Sequence, residues 1–76
     1  MTTEIFVELL GEAVEVYRPV QAALVSEGVF RIESKKTDPD EVWRFPPGSV
    51  VRCRNTSFSG GEACLLAYEL VEPEPA

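Results

Sequence analysis

Histidine is absent from this chain of 76 residues. That removes the side chain that most often serves as general base or metal ligand near neutral pH. Cysteine is scarce, with only 2 residues. Cys53 and Cys64 do not stand at metal-ligand spacing, and two thiols alone do not complete a zinc site. A cysteine nucleophile also needs an electropositive surrounding and an acid-base partner. Arg52 and Arg54 flank Cys53 but alternate onto the opposite strand face. Long apolar runs are missing too: none approaches the roughly 20 residues of a membrane-spanning helix. The N-terminal stretch Thr2-Thr3-Glu4-Ile5-Phe6-Val7-Glu8 carries neither a basic segment nor a cleavage site, so a secretory signal is not expected and a cytoplasmic location is. These shortages predict a protein that is not an enzyme and uses no cofactor or metal.

Positive charge is also in short supply, with 7 Lys and Arg against 13 Asp and Glu and a net charge of −6. A negative mean charge repels polyphosphate at long range and argues against non-specific nucleic-acid binding. The distribution is uneven. Arg31, Lys35, Lys36, Arg44, Arg52 and Arg54 face Glu33, Asp38, Asp40 and Glu41 in one slightly positive window between acidic flanks. The acidic group Asp38, Asp40 and Glu41 lacks a glycine-rich metal loop and reads as a solvated connection. Asn55-Thr56-Ser57 matches a glycosylation sequon, which has no use without secretion.

What is present is strand periodicity. Ile5, Val7 and Leu9 alternate in a first segment that ends at Gly11-Glu12. Val14, Val16, Val20, Ala22 and Leu24 alternate in a long second segment. Phe30 and Ile32 mark a third, Val51 and Cys53 a fourth, and Cys64, Leu66, Tyr68 and Leu70 the inward set of a fifth. These period-two patterns, rich in β-branched and aromatic residues, predict an all-β fold without a helix. The expected core contains Val7, Val16, Val20, Leu24, Phe30, Ile32, Val51, Leu66 and Tyr68. One domain over residues 1–71 is expected, with 72–76 as a mobile acidic, proline-rich tail.

Turn chemistry fixes some pairings. Ser26-Glu27-Gly28 predicts a hairpin in which Ala22 opposes Ile32 and Leu24 opposes Phe30, with Gly28 left-handed. Pro47-Gly48 suits the centre of a type II turn. Symmetry about the loop at Ser57-Phe58-Ser59-Gly60 pairs Cys53 with Cys64 and Val51 with Leu66, which sets the two thiols side by side but reduced in a cytosol. Pro19 lacks an amide proton and belongs at an edge or bulge. Arg18 falls in phase with inward Val16 and Val20. Either its stem crosses the end of the core and its charge meets a carboxylate at the rim, or a bulge turns it outward.

Five short strands, the second long, predict a small antiparallel barrel. The connection Lys35 to Asp40 is too short and polar for the helix of an oligonucleotide-binding fold, so the Src-homology-three-like barrel is the expectation. Tyr17-Arg18-Pro19-Val20-Gln21-Ala22, followed by Trp43-Arg44-Phe45-Pro46-Pro47-Gly48-Ser49-Val50-Val51-Arg52-Cys53, resembles small uncharacterised bacterial β-barrel proteins. These share an aromatic-Arg-Pro-Val-x-Ala element and a Trp-x-Phe-x-Pro-Gly element, and the resemblance implies no particular activity. Gly48 to Arg52 with Phe58-Ser59-Gly60-Gly61 is faintly similar to a strand-loop element of ribosome-associated and transcription-factor barrels. The basic loop residues of that element are replaced here by Ser57, Ser59 and Glu62.

The functional expectation is a protein-interaction or self-associating accessory module. Its candidate surface is a shallow groove lined by Tyr17, Trp43, Phe45, Pro46 and Phe58, with the Trp43 ring edge at the surface; the other reading of Trp43 and Phe45 places them in the core of so small a domain. The alternative is an RNA or single-strand binder acting through Arg31, Arg44, Arg52 and Arg54.

Overall fold

A computed structural model describes residues 2–36, 39–57 and 60–72 of the chain. Six strands and no helix occur among them: β1 (Thr2–Leu10), β2 (Val16–Ser26), β3 (Val29–Ile32), β4 (Val42–Trp43), β5 (Val50–Ser57) and β6 (Ala63–Glu72). The sheet order is β2-β3-β5-β6-β1-β4, and β2 also pairs with β1. Five strands therefore form a ring within one sheet, and β4 adds to the edge of β1 beside Leu9 and Leu10.

Alternation gives β1 its inward set, Ile5, Val7 and Leu9, which meets Val20, Ala22, Phe30, Ile32, Val51 and Ala67 in one core. β1 and β2 pair antiparallel without interruption from Thr2↔Ala23 to Leu9↔Val16. No bulge turns Arg18 outward. Pro19 lies where β2 has β1 on one side but no β3 partner on the other, since β3 pairs only from Ala22 onward. A residue without an amide proton is tolerated there.

The β2–β3 hairpin has the predicted stem, Ala22↔Ile32 and Leu24↔Phe30. Its tip tightens to Ser26↔Val29 by skipping Val25, and Gly28 takes a φ of 73°. At the second turn the Ser49 amide donates to the Pro46 carbonyl at 3.1 Å. Gly48 sits there with a φ of 90°, the left-handed value that the third position of a type II turn requires.

The expected all-antiparallel pairing is corrected at the closure, where β1 and β6 run parallel through Phe6↔Leu66. The register of β5 and β6 is also corrected: Cys53 opposes Ala67 and Thr56 opposes Cys64. Two irregularities cause the difference. The ladder skips Tyr68 between Arg52↔Glu69 and Cys53↔Ala67, and skips Val71 between Val50↔Glu72 and Val51↔Leu70. Each extra residue flips the side-chain phase. The inward phase therefore runs through Leu65 and Ala67 before the bulge and Leu70 after it, rather than through Cys64, Leu66 and Tyr68. Leu66 is half-buried and Tyr68 exposed, and Val16 packs at the margin of the core. Trp43 and Phe45 belong to the core instead. β6 extends through Glu72, one residue past the expected domain end, and residues 73–76 lie outside the described residues.

Candidate functional site

The expected aromatic groove does not form as a surface. Trp43 and Phe45 retain only 6% and 5% of their accessible area and belong to the core. The indole Nε1 donates to Glu41 Oε1 at 3.0 Å, which satisfies the ring's one polar atom. Arg18 Nε donates to the same oxygen at 3.3 Å, and its terminal amino group pairs with Glu41 Oε2. Lys36 Nζ adds a bond to the Glu41 carbonyl at 3.0 Å. Arg18 thus keeps its charge at the rim against a carboxylate. The Arg18 and Trp43 hydrogen bonds hold the Glu41 carboxyl below its ordinary range. Glu41, read from sequence as part of a solvated connection, is instead the node joining β2 to β4. The in-phase Arg18 was the sequence signal for a carboxylate at the rim, one of the two readings it allowed. Tyr17 is half-buried, and its hydroxyl donates to Glu15 at 3.2 Å. Burial, then the bond and charge of Glu15, push its phenol pKa up. Pro46 is exposed, and Phe58 lies outside the described residues.

Arg31, Arg52 and Arg54 share the outer face of β3 and β5, in the phase opposite to Phe30, Val51 and Cys53. Arg44 stands apart beside β1. Arg52 pairs with Glu69 at 2.9 Å and Arg44 with Glu8 at 3.4 Å. Arg54 lies 5.4 Å from the Tyr68 ring centre and Arg44 5.1 Å from that of Phe45. Three of the four cations are therefore already engaged within the chain.

The thiols are not neighbours. Both cysteines are free. Cys64 opposes Thr56, three residues along β5 from Cys53, or roughly 10 Å at the usual strand rise. The odd offset also sends the two side chains to opposite faces. Cys64 Sγ approaches the Thr56 carbonyl at 3.5 Å. Cys53 is buried, and desolvation raises its pKa to about 11.

Two surface features remain. First, the core-phase row Leu24–Phe30–Val51–Leu70 crosses four strands, and only its middle is covered. Its end residues Leu24 and Leu70 are 64% and 47% exposed. Leu10 and Val42, paired across β1 and β4, are exposed as well. Second, the parallel closure of β1 on β6 creates a cleft of about 240 Å³ on the outer face, lined by Glu4, Phe6, Gly60, Glu62, Ala63 and Cys64. Phe6 pairs with Leu66, so Glu4 and Phe6 on one strand lie level with Cys64 and Leu66 on the other. Among the described residues no group of three His, Cys, Asp or Glu side chains is placed to hold a metal ion, and no helix is long and apolar enough to cross a membrane.

Comparison with known proteins finds no matching family model, no matching curated protein and no matching solved structure. The functional reading therefore rests on this chain's own geometry.

Proposed function

We propose that the chain is a Src-homology-three-like barrel acting as a non-catalytic protein-interaction module, docked through the uncovered ends of its core row. The carrying observation is that Leu24 and Leu70 follow the phase of the core yet remain exposed. Apolar residues set in core phase and left exposed favour a protein that covers them. Edge-to-edge pairing with a second copy is disfavoured. In an antiparallel pair centred on Leu70 and Val71, Glu69 opposes Glu72 of the other copy, and two bulges distort that edge.

A nucleic-acid partner has less support, because Arg44, Arg52 and Arg54 are engaged internally and the net charge is −6. Replacing Arg52 and Arg54 together should leave oligonucleotide binding at low salt as undetectable as in the wild type. Salt-dependent binding lost in that variant would favour the nucleic-acid reading.

The direct test compares wild type with Leu24→Glu/Leu70→Glu in recovering partners from the native host, with hydrogen exchange mapped on the complex. The wild type should hold one protein near stoichiometry, with protection at β2 and β6. The variant should bind it about tenfold or more weakly, equivalent to ~1.4 kcal/mol. Equal binding by both proteins would refute this docking surface.

A further inference from the structure

We infer that the cleft between β1 and β6 receives an arginine side chain displayed by a partner protein. The cleft combines apolar and acidic side chains. Phe6 and Ala63 supply apolar lining, while Glu4 on β1 and Glu62, just before β6, supply carboxylates. Neither carboxylate has a hydrogen-bond or ion-pair partner among the described residues, and no Lys or Arg lines the cleft. At about 240 Å³ it falls below the roughly 300–1,000 Å³ of sites for drug-sized ligands. It suits one side chain with an apolar stem and a cationic head.

Arginine fits this better than lysine. Its planar guanidinium presents five donors and is weakly hydrated, so one head can serve two carboxylates from separate segments while its stem lies against Phe6 and Ala63. Lysine carries a compact, strongly hydrated charge that loses more on entering a partly apolar cleft. The net charge of −6 also draws basic partners toward the molecule.

Only the source of the arginine rests on the interaction-module reading; the chemistry of the cleft is tested without it. The probes are the capped tripeptide Gly-Arg-Gly and its citrulline and lysine counterparts, titrated against the full chain by NMR. The arginine peptide should give saturable shifts at the amides of Glu4, Phe6 and Cys64, weakened by added salt. Glu4→Gln and Glu62→Gln, both at exposed positions, should each weaken binding about threefold, the scale of an exposed ion pair. Leu24→Glu/Leu70→Glu should leave this binding unchanged, which separates failure of the cleft from failure of the docking surface. Absence of saturable shifts, equal binding of citrulline, or equal or tighter binding of lysine would overturn the inference.

Discussion

Glu41 does more for the architecture than its place in a polar connection suggests. Its carboxylate receives Arg18 from β2 and the Trp43 indole from β4, so one ionised group satisfies two donors at the margin of the core. The bonds lower its folded pKa. A depressed carboxyl contributes stability above its unfolded pKa and loses that contribution as pH falls through the folded value. The stability difference between wild type and Glu41→Gln should therefore be constant near neutral pH. It should shrink as pH drops below the ordinary carboxylate range, with Trp43 fluorescence as the readout. A difference that does not change with pH would show that the ionised form is not what matters. The thiols give a second test at this scale. Cys64 is half-buried whereas Cys53 is buried with a pKa near 11. Thiol titration of the folded protein should find one accessible group, Cys64, and a second only after denaturation. Two groups reacting at one rate would contradict the burial of Cys53.

Five of the six strands and the turn chemistry were legible in the sequence; the two-residue β4 was not, being too short to show a period. Side-chain phase was legible wherever a strand is regular. β1, β2 and β3 hold their period without a break across the residues that build the core, and the Gly28 and Pro47-Gly48 turns follow from local backbone preference. β6 defeated the same logic. Its run Cys64-Leu65-Leu66-Ala67 is apolar in both phases, and nothing in its composition marks Tyr68 and Val71 as bulge residues. Symmetry about the loop then selected a register that the bulges remove. Trp43 and Phe45 were legible as large apolar side chains but not as groove or core, because a period-two pattern does not say which face of a short edge segment is covered; both belong to the core. The phase of β6 has a stability consequence. Ile32→Ala should cost about 2–5 kcal/mol in chemical denaturation, as for a fully buried aliphatic. Leu66→Ala, on the outer face, should cost clearly less. Equal losses would restore the even phase of β6 to the core.

For the whole molecule, closure is the property on which the other features depend. Thr2 pairs with Ala23, Ala23 with Arg31, Arg31 with Val50, and Val50 with Glu72, which lies six residues beyond the Leu66 partner of Phe6. A circuit of the ring thus climbs roughly ten residues along the strand direction, the stagger that a closed, tilted sheet requires. Leu24 on β2 and Leu70 on β6 end the core row, and both remain exposed. The parallel meeting of β1 and β6 sets Glu4 and Phe6 beside Cys64 and forms the cleft. The candidate site was the least legible part of the sequence, because it arises from a contact between the first and last strands that no local pattern announces.

The most direct test of this account is the set of cross-strand backbone proton contacts in an NMR spectrum of the intact chain. Contacts of Phe6 with Leu66 in a parallel pattern, together with contacts between Thr56 and Cys64, are the predicted result. Contacts between Cys53 and Cys64, or an antiparallel pattern between β1 and β6, would contradict the closure, the cleft and the uncovered row together.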